Sequence, residues 1–413
     1  MRAFSLGTTK SFNNQLLTVF WLLALIATPI WTSFDTPAWD LAVYVNAIHS
    51  LQAGRDPYAD AIAVQRLFHA QLALVKNLPP PYSYVYSPIT LPILRIFGAL
   101  PVWLGAAIYG GAYLSGALAQ VWAGTWIMTA NEKNYLLYFA PAALFFPGLL
   151  QADTCLSGNL AYCVYGAVLL TVVYGWSRGR WTYFYAVVLV ASCYKAPFLA
   201  LLLLPALSVR GQWLKALGTG GIGLLLFAGQ PLLSPVLFRH YLEAVELQFS
   251  FNHDFGCSPA GIIATILADH GFDYSSISSV AYVIYAVPVF GLLVYLSRLY
   301  ARGAVTLKQW APVLLLGVML LNPRIKEYDV APLTLPMALV GWRLCRMFGS
   351  VRTTILTLLG FFVIINCIAA PSWDIRTLTS GAALVFFFAV GSWHLIHLST
   401  TTIAANLRAS DGL

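Results

Sequence analysis

The chain has 413 residues, of which 59% are apolar and only 9% charged, with a formal net charge of +8. A soluble globular chain carries about a quarter charged residues, so that class is excluded, and the recurring long apolar runs point to an all-α integral membrane protein. The positive balance makes no case for nucleic acid, because it collects in loops that the positive-inside rule assigns to the cytoplasm.

Thirteen apolar stretches are candidate spans, near 15–32, 86–99, 101–129, 135–150, 158–176, 181–195, 197–208, 213–232, 278–297, 309–321, 328–342, 353–370 and 378–397. No small-residue cleavage site follows the first, so it is read as a span and not as a removable signal peptide. From residue 177 onward Lys and Arg fall in alternate loops (Arg178 and Arg180, Arg210 and Lys215, Arg298, Arg302 and Lys308, then Arg343, Arg346 and Arg352). With Arg2 and Lys10 they put both termini inside. Thirteen crossings break that parity. The segment 86–99, with Pro88, Pro92 and Arg95, is the one expected not to cross, which leaves about twelve spans. Outer loops at 33–85, 151–157, 233–277, 322–329 and 371–377 then hold thirteen of the fifteen acids, all but Glu132 and Asp411. No repeat or soluble domain is visible. The expectation is a single polytopic membrane domain over 1–413, a helical bundle with 33–85 and 233–277 as its two large outer loops.

The first outer loop is too long for a connector. Residues 40–53 have helical spacing, with Leu41, Val45, Ile48 and Leu51 on one side and Asp40, Tyr44 and Ala47 on another, which suits a helix lying on the membrane surface. Residues 60–76 repeat the pattern. Asp40 is the residue of most interest, since a carboxylate beside a bilayer is costly unless it is used or paired. It also fits an N-cap, and a cap can face a substrate. Asp56, in Gly54-Arg55-Asp56-Pro57-Tyr58, reads chiefly as turn chemistry. Pro79 to Pro88 stiffens the return to the membrane, and its tyrosines, Tyr84 among them, suit either a headgroup belt or stacking on a sugar ring.

Further along, Gly158-Asn159 stands at the outer start of a span, as a turn or as a ligand contact. Residues 181–208 read as a hairpin of two short helices with Lys195-Ala196-Pro197 at its outer tip, and a cation there is functional, paired or snorkelling. The 233–277 loop contributes His253 and an amphipathic stretch from Val236 to Phe249. In Pro323-Arg324-Ile325-Lys326-Glu327-Tyr328-Asp329 the two cations lie on the wrong side for a topology signal. They are suited to an anion, most simply a phosphate, or to internal salt bridges with Glu327 or Asp329. His394 and His397 are three residues apart with no third ligand, so no metal site is expected.

Taken in order, these motifs resemble a family. Asp40-Leu41-Ala42-Val43-Tyr44 follows the first span. Gly54-Arg55-Asp56-Pro57-Tyr58, Tyr84-Val85-Tyr86-Ser87-Pro88, Gly158-Asn159, Lys195-Ala196-Pro197-Phe198 and Pro323-Arg324-Ile325-Lys326-Glu327-Tyr328 come after it. The set, over residues 15 to 340, is similar to the bacterial membrane mannosyltransferase-like family of GT-C glycosyltransferases, related to the phosphatidylinositol mannoside mannosyltransferases. The resemblance implies an inverting enzyme of the bacterial inner membrane that works on the extracytoplasmic side. It would move a sugar, with mannose expected, from a polyprenyl-phosphate carrier to a lipid or glycan acceptor. Asp40 would be the base. Where the phosphatidylinositol mannoside enzymes carry histidine this chain has Lys326-Glu327-Tyr328, which marks a different branch and leaves sugar and acceptor open.

The residues suit that chemistry in their own right. A sugar phosphodiester already has a good leaving group, so the acceptor needs a base and the departing phosphate needs cations. Asp40 fills the first role, and Arg324, Lys326 and Lys195 fill the second. Tyr44, Tyr84, Asn159, His253 and Tyr328 are expected to line the substrate site, with no cofactor and no partner besides donor, acceptor and membrane lipids. A flippase or transporter of lipid-linked sugars, with the outer charges as a gate, is the alternative.

Overall fold

The computed structural model describes residues 39–72, 83–135, 157–252, 255–369 and 373–411, and among them every regular element is helical. The first outer loop supplies α1 (Trp39–Gln52) and α2 (Pro57–Leu72). A single 3-10 turn (Pro88–Thr90) leads into α3 (Leu91–Ala99), followed by α4 (Val102–Trp126). Next come α5 (Ala161–Arg178) and α6 (Thr182–Tyr194), then a 3-10 stretch (Ala196–Leu202) running into a short helix (Leu203–Ser208). After α7 (Trp213–Ala228) lie α8 (Pro235–Asn252) and α9 (Pro259–Asp269). The C-terminal part holds α10 (Tyr274–Ala301), α11 (Leu307–Leu320), α12 (Thr334–Phe348), α13 (Val351–Ala369) and α14 (Trp373–Asp411).

The helical spacing read in the outer segments is realised: α1 covers 40–53 to within a residue, α2 takes the first part of 60–76, and α8 contains the amphipathic stretch from Val236 to Phe249. The hairpin expected over 181–208 also forms, with α6 packed against the 3-10 stretch after Lys195. The number of spans differs. Among the described residues four helices are long and apolar enough to cross a membrane, Val102–Trp126, Trp213–Leu233, Tyr274–Ala301 and Ile375–Thr401, against the twelve or so expected of the whole chain. Candidates at 15–32 and 135–150 lie outside the described residues. Several others are shorter apolar helices, among them Pro88–Ala99, Thr182–Tyr194, Ala196–Ser208 and Leu307–Leu320. With 14 residues, α11 reaches about 21 Å, short of a hydrocarbon core of about 30 Å. Its length is set by the Asn322-Pro323 break that follows.

Burial separates two kinds of apolar helix. In α11 every residue from Trp310 to Leu320 is buried, and α12 is buried from Thr334 to Trp342, so these two form the centre. A helix apolar all round is stable in such a place because every face meets another helix. By contrast α10 buries Leu293, Leu296 and Leu299 but exposes Val280, Val283, Ile284 and Val287, an apolar face of the kind that meets lipid.

Helices α4 and α5 cross at close range. A Cβ on Gly166 would come within 2.5 Å of Gly116 Cα, and one on Gly116 within 2.8 Å of Cys163 Cα. Small residues let two backbones approach this closely, and Gln120 Nε2 then donates across the seam to Tyr162 O at 2.8 Å. Gly166→Ala should push the helices apart and cost about 1–3 kcal/mol. A thermal-unfolding midpoint in detergent equal to that of the parent would refute the account.

Far along the sequence from the outer motifs, one ion pair ties three elements together. Thr129 and Glu132 form a reciprocal cap on the turn Ala130–Lys133 just after α4. Arg343 in α12 grips the same carboxylate through Nε (2.7 Å) and Nη2 (3.1 Å). Its Nη1 donates to Lys308 O at the start of α11, and Lys308 Nζ donates to Met128 O.

Candidate functional site

Asp40 lies in the first turn of α1, where the unpaired amides of a helix start favour a carboxylate. The helix begins two residues earlier than a cap at Asp40 would have it. The backbone amides of Asp40 and Leu41 both donate to Ser157 O, at 2.9 and 3.2 Å. Gly158 is left-handed (φ 71°), and a Cβ there would stand 2.9 Å from Leu41 Cβ, so this turn admits α1 only because the residue is glycine. Tyr109 of α4 donates to Gly158 O. The Gly-Asn motif is thus the joint between α1, α4 and the start of α5.

Asn159 is fully buried, and its amide is engaged on both sides. Oδ1 accepts from Ala161 N (2.9 Å) and from the Tyr194 hydroxyl (3.0 Å). Nδ2 donates to the Tyr86 hydroxyl at 3.2 Å. Tyr44 and Tyr194 share a hydroxyl contact of 2.6 Å, and Leu160 N reaches Tyr44 Oη at 3.4 Å. Tyr86 is sandwiched, with its ring centroid 5.1 Å from Tyr44 and 4.7 Å from Tyr194, both stacked. Both faces are therefore covered, which leaves neither for stacking on a sugar ring. Tyr84 stands behind it, 4% exposed, its hydroxyl bonded to Thr90.

Lys195 follows the last residue of α6 in extended conformation, and Pro197 is the second residue of the 3-10 stretch beyond it. Its Nζ donates to the Tyr328 hydroxyl at 2.9 Å and lies 4.2, 5.4 and 5.5 Å from the ring centroids of Tyr328, Tyr194 and Tyr86. Three negative ring faces around one ammonium offset part of the cost of taking it from water. Burial first, then the charge of Asp40, hold the Tyr86 phenol above its ordinary pKa. Tyr44 is raised by burial, then by Tyr86 and Asp40. Tyr328 is raised by burial against the opposing pull of Arg324, with Asp329, Tyr86 and Asp40 adding to the rise. All three phenols are therefore protonated, and the field of Asp40 reaches each of them.

The cationic loop is held from two sides. Asp329 is buried, and it accepts from Tyr165 Oη (3.0 Å) and from the backbone amide of Lys326 (2.8 Å). On the other side Cys257 N donates to Ile325 O (2.6 Å) and Ser258 Oγ to Pro323 O. Gly256 is left-handed, and a Cβ there would collide with Ile325 O. Arg324 extends over Phe249 of α8, its guanidinium carbon 5.5 Å from the ring centroid. These two bonds of Asp329 anchor the backbone that carries the cations.

Of the residues singled out in the sequence, Asp40, Tyr44, Asn159, Lys195 and Tyr328 gather around the same tyrosines. Arg324 borders them through Tyr328, and Lys326 is on the same loop. Tyr84 is in the layer behind, and His253 lies outside the described residues. Asp56 does the turn work expected of it, accepting from Tyr58 N (2.9 Å), and also meets His240 Nδ1 of α8 at 2.6 Å. Sequence reading missed Tyr86, Tyr194 and Asp329. Tyr86 lies inside a motif that was noticed and Tyr194 directly precedes another, but tyrosines near a membrane surface read as belt residues, and only their hydroxyl partners separate the two cases.

Fold and site together define an all-α protein with helices long and apolar enough to span a membrane, carrying a polar, tyrosine-rich cluster assembled from five separate segments. Protein-family models, curated proteins and solved structures give no match to this chain.

Proposed function

We propose that this protein is an inverting, membrane-embedded glycosyltransferase of GT-C type that takes a sugar, mannose first, from a polyprenyl-phosphate carrier. The acceptor is a hydroxyl of a lipid or glycan on the extracytoplasmic side of the bacterial inner membrane, the side that the loop charges assign to the cluster. The observation that supports the reading is that Lys195 contacts the phenols Tyr86 and Tyr328, which also lie within the field of Asp40, a residue distant in sequence.

In the proposed reaction the acceptor oxygen attacks the anomeric carbon from the face opposite the phosphate. Its proton passes to Asp40. The bond from the anomeric carbon to the phosphate oxygen breaks, and the electron pair leaves with the polyprenyl phosphate. Lys195 meets the developing negative charge, with Arg324 and Lys326 supplied by the loop that carries Tyr328. Surrounded by ring faces, Lys195 needs no reorganisation to meet that charge.

The test is transfer by the purified protein of radiolabel from polyprenyl-phosphate-mannose to a membrane lipid extract. A labelled product is expected. Absence of product with mannose and with several other polyprenyl-phosphate sugars would overturn the reading and favour a carrier that moves lipid-linked sugars without chemistry.

A further inference from the structure

Tyr165 lies behind both segments that carry the cations. It is a buried residue of α5, and its hydroxyl donates to Asp329 Oδ1 at 3.0 Å, across 164 positions of sequence. Its ring packs on Phe198, with centroids 4.9 Å apart, and Phe198 N donates to Lys195 O in the turn that follows Lys195. Met319 Sδ of α11 stands 4.0 Å from the same hydroxyl, so the side chain is seated against the centre of the bundle. Through Asp329, the polar end of Tyr165 reaches the loop of Arg324 and Lys326. Its apolar body meets the turn of Lys195.

Asp329 also has a local use, and that use takes one of its oxygens. Oδ2 accepts from Lys326 N at 2.8 Å while Asp329 N donates to Lys326 O, the reciprocal pattern of a helix start. The cap does not need Oδ1, which goes to Tyr165. A cap alone would fix the shape of the loop; the second bond fixes where the loop stands relative to α5. The same helix holds the opposite side of the cluster. Just before its start, Ser157 O takes the backbone amides of Asp40 and Leu41. From Ala161 to Tyr165 is a single turn, about 6 Å along the axis. The turn bearing Asp40 and the loop bearing the cations are thus pegged to one rigid element.

We infer that Tyr165 is a positioning residue: it holds the cations of the 324–326 loop in register with Lys195, and its bond to Asp329 sets the affinity for the donor phosphate. The ring serves the Lys195 turn and the hydroxyl serves the loop, so substitution separates the two. The inference rests on the proposed function for the molecule that brings the phosphate.

Tyr165→Phe keeps the ring on Phe198 and removes only the hydroxyl. Binding of polyprenyl phosphate and of polyprenol, the same chain without the anion, is titrated in detergent on wild type and variants, with thermal midpoints recorded beside each. Tyr165→Phe is expected to weaken polyprenyl phosphate binding about ten- to hundredfold, the usual loss when a residue that orients a ligand-binding group is removed, and polyprenol binding less than about twofold. Asp329→Asn should lose clearly less than Asp329→Ala, because an amide oxygen accepts from Lys326 N while its nitrogen donates to the Tyr165 oxygen. Equal losses for both lipids would mean a general structural effect and would overturn the inference. Equal losses for Asp329→Asn and Asp329→Ala would also overturn it, since charge and not hydrogen bonding would then hold the loop. So would unchanged phosphate binding in Tyr165→Phe, or a wild type that does not prefer the phosphate to the alcohol. The expected loss of phosphate affinity, with no sugar transfer by wild type, would uphold the positioning role and remove the glycosyltransferase reading.

Discussion

Asp40→Asn is expected to lower the rate of sugar transfer by about 10²–10⁴-fold, the usual worth of a positioned general base, while donor binding changes little. Asparagine has the same shape, and the contact that places this turn is made by the backbone amide of residue 40 on Ser157 O, which the substitution leaves intact. What is lost is the capacity to take a proton as the acceptor oxygen attacks. A loss confined to that step lowers kcat and kcat/KM together and leaves KM nearly unchanged. Parallel initial rates for the two proteins, with donor affinity measured separately, decide the matter. Equal rates would remove Asp40 from the chemistry. A fall in donor affinity matching the fall in rate would make it a binding residue.

Glu132→Leu is expected to destabilise the protein by about 3–5 kcal/mol, the cost of leaving one half of a buried ion pair without its partner. The side chains of Glu132 and Arg343 are each only 10% exposed, and the guanidinium makes two of its bonds to this carboxylate. Glu132→Leu combined with Arg343→Met should lose much less than the sum of the single changes, since an apolar pair of similar volume leaves no orphaned charge. An additive double mutant, read from thermal midpoints in detergent, would refute the coupling. Burial pushes the Glu132 carboxyl up, but the Arg343 guanidinium and the Thr129 amide outweigh it, so its pKa is below the ordinary value. Its contribution is therefore complete above the unfolded carboxylate pKa, about 4.3, and is lost as pH falls through the lower folded value. Wild type should lose stability on acidification over that range more steeply than the double variant. This pair also accounts for one of the two acids that the loop bookkeeping left over: Glu132 stands apart from the outer loops because it is the counter-ion of Arg343.

How much of this was legible in advance differs by feature. Helical spacing in Leu41, Val45, Ile48 and Leu51, and in Val236 to Phe249, was enough to place α1 and α8, because the period of a helix is a local property. Lys195 was picked out because a cation between two apolar helices is conspicuous, and it does sit at the tip of a hairpin. The count of spans was not legible. An apolar run of fifteen residues reads alike whether it enters lipid or, as α11 does, fills the centre of a helical bundle. Tyr86 and Tyr84 were equally indistinct, two residues apart in one motif with the same chemistry. Their difference lies in Asn159, which bonds one, and Thr90, which bonds the other.

The sequence by itself determined the class of protein and the helical character of its outer segments, since composition and periodicity act through neighbours along the chain. It also singled out Asp40, Asn159, Lys195 and Tyr328, because a polar residue at the edge of an apolar run is costly wherever the chain goes. Only the tertiary structure decided that these four share one cluster and that Asp329 anchors the cationic loop. A hydrogen bond between segments far apart in sequence leaves no local signal, and Asn159 meets Tyr86 and Tyr194 only because the fold brings their three segments together.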